Sequence, residues 1–225
     1  MVSNFDFLKK DFPVLSNFGE MAEKYCYSDS NSCLMKLGMI GETIVNLMFT
    51  YDRIAFPHDN TAVARIDKLS REGLLTSDLV AILHGLRKVR NKAVHENYAS
   101  IADDKTFLPM AHSLCEWFMQ TYGDWNYSHK DFVMPEENTV LGTVDKEAEE
   151  KKESELTKLA EQMAAAAPII EQTERKKQAY KAANQRPKTE AEARVLIDEQ
   201  LRMVGWDAET GNLRYSKGTR PTKGR

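Results

Sequence analysis

The residues best suited to chemistry lie in one stretch, Arg87-Lys88-Val89-Arg90-Asn91-Lys92-Ala93-Val94-His95-Glu96. On a helix, Arg87, Asn91 and His95 fall at i, i+4 and i+8 and share a face. Arg90 lies about 100° from Asn91, at the edge of the apolar stripe but within reach of the same groove. The opposite side carries Ile82, Leu86, Val89 and Ala93, which would anchor the helix in a core. An imidazole, an amide and two guanidiniums on an anchored helix suit a phosphodiester. Arginine binds phosphate in a bidentate way and offsets charge that builds up in the transition state. Histidine exchanges protons near neutral pH. RNA brings its own nucleophile in the 2′-OH, so such a site needs no metal. A structural role fits the same residues. Cations near a helix C-terminus favour its dipole, and His95 can pair with Glu96 or a backbone carbonyl. On spacing alone the structural role carries more weight, because short motifs match by chance.

The elements that must position this stretch read as helices. Of 20 aromatic residues, 17 lie between Phe5 and Phe132, so the first 133 residues can bury a core. Candidate helices run over 16–27, with Phe18, Met21, Ala22 and Tyr25 on one face, and over 33–51, with a stripe from Leu34 to Tyr51. Two more follow over 63–72, ending near Gly73, and from Thr76-Ser77-Asp78 to about His95. Pro109 begins or follows a turn, and a further helix spans 110–122. No stretch alternates with period two, and the fold class is an all-α helical bundle.

Residues 134–187 differ in character. Asp145 to Lys158 is dominated by Glu and Lys, and Ala164–Ala167 is an alanine run. Glu147–Lys151 and Glu149–Lys152 are favourable pairs, whereas Glu149 and Glu153 are like charges four apart. High helix propensity with few large apolar residues reads as a solvated helical linker, broken near Pro168 and ended by Pro187. Residues 188–225 open a new unit. Thr189 and Glu192 form a capping box before Ala193, Leu196, Ile197, Leu201 and Val204, with Gly205 as a stop and Trp206 after it. One amphipathic helix followed by a bulky residue must pack on something, so the chain reads as cut inside a domain.

Composition narrows the partners. Lys+Arg 31 against Asp+Glu 34 gives a net charge of -3, so any nucleic-acid footprint must be local. No apolar run approaches the roughly 18 residues of a membrane span, and the N-terminus shows no signal-peptide pattern. Cys26, Cys33 and Cys115 are odd in number and lack CxxC spacing. Neither a zinc site nor a disulfide framework is expected, and a reducing cytoplasm fits.

Arg90-Asn91-Lys92-Ala93-Val94-His95 resembles the signature of the HEPN superfamily: Arg, a polar residue, three more, then His. Members are helical bundles, and many are metal-independent RNases that act as dimers with two motifs facing each other. The resemblance implies catalytic roles for Arg90 and His95, a supporting role for Asn91, and an acidic partner on an earlier helix, for which Glu42 is the candidate. Arg87, Arg90 and Lys92 are the candidate nucleic-acid contacts. A solvated or salt-bridged role is the commoner fate of a residue such as Glu42.

A wider likeness surrounds the motif. Ser3-Asn4-Phe5-Asp6-Phe7-Leu8, Pro13, Ala22-Glu23 and Lys36-Leu37 through Gly41-Glu42 resemble the helical N-terminal domain of type I restriction enzyme R subunits. Glu192-Ala193, Leu196-Ile197-Asp198, Gln200-Leu201 and Gly205-Trp206 resemble the opening helix of those subunits' α/β nuclease domain. The implied organisation is a HEPN-like domain over 1–133, a charged helical linker over 134–187, and the start of a truncated nuclease domain over 188–225. The implied role is assembly or nucleic-acid sensing in DNA defence, with other restriction-modification subunits, DNA or RNA as partners. A HEPN-type RNase and a non-catalytic dimerisation or adaptor module are the alternatives. Gly211, Gly218 and Gly224 do not fit a Walker A motif, and the acidic-plus-ExK core of a metal-dependent nuclease is absent. ATP and Mg are therefore expected only for domains downstream, and this chain calls for no cofactor. Gly38 and Met39 stand where the family's domain has a basic residue, which weakens any polar network near Glu42.

Overall fold

In the computed structural model, α1 (Pro13–Tyr25) starts on a proline at its first position, where the missing N–H costs nothing. Asp29 starts α2 (Ser30–Tyr51) by accepting from the Ser32 amide at 3.1 Å, and Thr61 starts α3 (Ala62–Arg71) by accepting from the Ala64 amide at 3.2 Å. Helix α3 runs out at Gly73, whose φ of 71° favours glycine. Helix α4 (Ser77–Glu96) ends on left-handed Asn97, and α5 (Ile101–Tyr122), α6 (Lys146–Ala166) and α7 (Gln172–Gln185) follow. The structure describes residues 2–137 and 146–188, with residues 192, 193 and 197. Among these there are seven α-helices and no strand, so the all-α class stands.

Helix α5 differs from expectation. It begins at Ile101, capped by Ser100, and runs straight through Pro109. Proline removes one helical hydrogen bond, but Phe107 and Leu108 just before it are buried, and Phe107 lies against Gly85 of α4. Packing outweighs the local cost. From Phe107 onward almost every residue of α5 is buried, which makes it the central helix, packed by α1, α2, α4 and α7. Trp117, Phe118, Phe5, Phe12 and Phe18 are all fully buried in the core, with the Phe12 and Phe118 rings 4.8 Å apart. By length and composition α2 is apolar enough to cross a membrane, contrary to the reading of the sequence, yet here its apolar stripe is buried in the bundle. Buried Glu116 on α5 ties down the segment after it, accepting from the Tyr127 hydroxyl at 3.1 Å and the Lys130 amide at 2.8 Å.

The stretch expected to be a solvated linker is helical, and most of its described residues are exposed, but one face of each helix docks on the bundle. Helix α6 packs on α1 and α2, and α7 packs on α5, within one compact unit that ends at Pro187. The like-charged Glu149 and Glu153 both face Lys36 of α2, each 2.5 Å from its ammonium. Burial alone would lower the Lys36 pKa, but the two carboxylates outweigh it and hold the ammonium above its ordinary value. Arg53 donates to the carbonyls of Ala164, Ala165 and Ala167 and closes the end of α6. On α7, Arg175 meets Asp52 at 3.0 Å and lies 4.2 Å over the Tyr122 ring, and the carbonyl of Ala179 accepts from Trp117 Nε1 at 3.0 Å. Just beyond α7, Arg186 bonds Asp78 at 2.9 Å and Ser113 at 2.6 Å. The contacts are ionic or made by alanines (Ala160, Ala164, Ala179, Ala182, Ala183), so large apolar residues do not reveal them.

All three cysteines are buried and free. Cys26 and Cys33 flank the α1–α2 turn, and Cys115 sits inside α5. Residues 188–225 form a separate unit. The helix expected from the Thr189 cap to Gly205, and Trp206 after it, lie outside the described residues apart from Glu192, Ala193 and Ile197.

Candidate functional site

Helix α4 crosses α2 where α2 carries two glycines. A Cβ at Gly38 would fall 2.2 Å from Cβ of Arg90, and one at Gly41 would fall 3.4 Å from Leu86. The absence of side chains on this face of α2 lets Arg90 lie against it and reach one turn along to Glu42, Nη1 to Oε2 at 3.1 Å. Gly38, expected to weaken the network near Glu42, is what allows the arginine to approach.

Beside this pair is a cavity of about 350 Å³ walled by α2, α3 and α4. Arg87, Arg90 and Asn91 reach it from α4 and Glu42 from α2, so four of the six candidate residues come together. Arg87 Nε is buried with no hydrogen-bond partner. His95 and Lys92 do not line the cavity. His95 is exposed in the last turn of α4 and makes no hydrogen bond or ion pair among the described residues. Lys92 is half-buried, with its ammonium 5.5 Å from the centre of the Tyr98 ring.

The capping role considered for the basic cluster belongs to other groups. Asn31 of α2 donates to the carbonyls of Ala93 and Tyr98 at 2.8 and 2.9 Å, and left-handed Asn97 returns its amide to Lys92. The polar face from Arg87 to His95 is therefore not needed to finish the helix.

Sequence reasoning did not single out Arg65 of α3, which also lines the cavity. Its guanidinium donates to Asn46 at 2.6 Å and Asn60 at 2.8 Å, and lies 5.0 Å over the Phe56 ring. Both amide partners are neutral, so the charge of Arg65 is fixed in place without being neutralised. The readable signal was a polar Thr61 cap immediately ahead of a short amphipathic helix that carries an arginine.

The family profile described as Domain of unknown function (DUF4145) matches residues 20–159. The chain belongs to the DUF4145 family. The matched span of this DUF4145 protein runs from α1 into α6, so it takes in the packed first part of the stretch expected to be a linker. Among curated proteins, the type I restriction enzyme EcoKI endonuclease subunit of Escherichia coli (strain K12) is 26% identical over 277 residues. That alignment covers 99% of this chain and 23% of the relative, so the chain spans about a quarter of its length. The resemblance to a restriction enzyme's endonuclease subunit stands on this similarity. No solved structure matches the chain at a significant level.

Proposed function

We propose that this chain is the N-terminal part of a type I restriction-modification R subunit, and that its helical domain contacts nucleic acid through the cavity face of α4. One observation carries the reading: Arg65, Arg87, Arg90 and Asn91 converge on a single cavity in a chain whose net charge is -3. A local cationic site in an otherwise acidic protein serves a specific anionic contact, not general adhesion to polyanions. The similarity over 99% of the chain to a restriction endonuclease subunit supports the setting, in which the partners are other subunits of a cytoplasmic defence complex. Fluorescence anisotropy with labelled DNA and RNA strands tests the contact. Arg87→Gln and Arg90→Gln each weaken binding and flatten its salt dependence. Equal affinity in wild type and both variants sinks the reading.

A second reading is the HEPN-type RNase. The ion pair between Arg90 and Glu42 favours it, together with an exposed His95 next to exposed Val94. In that reading two copies pair across the α4 face, Arg90 offsets charge on the scissile phosphate, and His95 moves the proton. Sedimentation tests for the dimer, and an RNase assay of wild type against His95→Ala tests the chemistry. A monomer, or activity unchanged by the substitution, removes it, and a dimer without activity leaves the adaptor role.

A further inference from the structure

The geometry points to a nucleoside phosphate monoester, one nucleotide in size with a terminal phosphate, as the ligand of the α2–α3–α4 cavity. The inference builds on α4 as a nucleic-acid face, but it separates a phosphate end from the middle of a strand.

Charge is the first argument. Arg65, Arg87 and Arg90 against Glu42 leave the lining at +2. A phosphate monoester carries about -1.5 to -2 at neutral pH, because its second pKa is about 6. An internal phosphodiester carries a single charge and leaves one guanidinium uncompensated. Helix polarity is the second. Thr61, Ala62 and Val63, the cap and first two residues of α3, line the cavity. The Thr61 side chain occupies the Ala64 amide, and the amides of Ala62 and Val63 have no partner within the helix. The positive end of α3 thus faces the same space as the three arginines, and helix N-termini hold phosphates in this way.

Preorganisation is the third. Arg65 is held by Asn46, Asn60 and the Phe56 ring, and Arg90 by Glu42, so neither must be ordered by the ligand. Arg87 supplies the donor that nothing in the protein uses, its buried Nε. Shape is the fourth. A volume of about 350 Å³ lies at the lower end of the range for small-molecule sites, roughly 300–1,000 Å³. Val45, Ile66 and Leu83 give it an apolar wall for the face of a base.

Calorimetric titration of the full chain tests the inference. The probes are a nucleoside 5′-monophosphate, the same nucleoside without phosphate, and a short single strand with and without a terminal phosphate. The monophosphate is expected to bind one to one, and the bare nucleoside and unphosphorylated strand at least tenfold more weakly. Arg87→Gln costs about tenfold or more, the loss of a hydrogen bond to a charged group. Val63→Glu provides the variant that folds. Val63 is exposed in the first turn of α3, where a carboxylate favours the helix, so thermal stability is kept while the added charge occupies the anion site and binding is lost. Binding of the phosphorylated strand or of the free nucleotide each supports the inference and identifies the source of the ligand. It is overturned if neither the monophosphate nor the terminally phosphorylated strand binds, or if Val63→Glu leaves that binding intact. It is also overturned if strands bind equally with and without the terminal phosphate, a result that leaves the nucleic-acid face of α4 standing.

Discussion

Replacing Arg175 by methionine tests whether α7 belongs to the fold. The arginine and its partner Asp52 are 3% and 4% exposed, with Nε 3.0 Å from Oδ1. Arg175 also donates to the Thr121 carbonyl, and the Tyr122 hydroxyl donates to the other oxygen of Asp52 at 2.6 Å. Burial pushes the Tyr122 phenol well up, so it stays protonated as a donor. Arg175→Met keeps the unbranched apolar stem of the side chain but leaves Asp52 buried with one neutral partner. Breaking one side of a buried pair costs about 3–5 kcal/mol. A domain of this size loses roughly 2–4 °C per kcal/mol, so the melting point should fall by about 6–20 °C. Urea denaturation followed by tryptophan fluorescence is the assay, because Trp117 Nε1 bonds the α7 backbone at Ala179. Adding Asp52→Asn removes the stranded charge and should recover much of the loss, giving a coupling energy from the double-mutant cycle. A loss below about 1 kcal/mol in the single variant, within the range of an exposed ion pair, would refute docking of α7 and restore the spacer reading.

Two further substitutions probe other sites. Gly38→Ala places a Cβ 2.2 Å from the Cβ of Arg90, an atom fixed to its backbone, so α2 and α4 must separate. Overpacking costs about 1–3 kcal/mol against about 1 kcal/mol gained in helix propensity, and urea titration should show a net loss together with weaker anion binding. A more stable variant would contradict the close crossing. Asp104 is fully buried, and burial pushes its carboxyl up to about 6, with Ser30 and Cys33 beside it pulling the other way. An acid with a raised folded pKa adds stability that is complete below the unfolded value and lost as pH rises through about 6. Asp104→Asn should therefore remove a contribution on the order of 1–3 kcal/mol from the stability difference between pH 4 and pH 7. Identical pH profiles for the two proteins would refute it.

The features legible in the sequence were those set by apolar periodicity. The stripe on α2 and the apolar side of α4 lie where spacing placed them, because burying those faces dominates the energy of both helices. The meeting of Glu42 with Arg90 followed from family resemblance, since no spacing rule links residues 48 apart in sequence. Reading Gly38 as a missing base misjudged it, because the value of a glycine at a crossing depends on the partner helix. Pro109 misled for a related reason: its cost is local, whereas Phe107 and Trp117 are held by distant neighbours. The sequence makes α6 and α7 look wholly exposed because charge and alanine usually mean solvent. Most of their charges are exposed, but Glu149, Glu153 and Arg175 find opposite partners in the bundle, and alanines allow close approach. The arginines that dock α7 are spaced like any solvated run, and only their partners on α2, α4 and α5 give them their role.

The burial of every cysteine has a practical consequence. A thiol reagent can reach Cys115 only when the centre of α5 is uncovered, whereas Cys26 and Cys33 require only the α1–α2 corner to part. Under native conditions the speed of modification at each sulfur therefore counts how often its part of the protein opens. The chain carries two clocks, one for local breathing and one for loss of the whole core. A cysteine added on the surface would react well before either, which makes site-selective labelling of this protein possible without removing its own thiols.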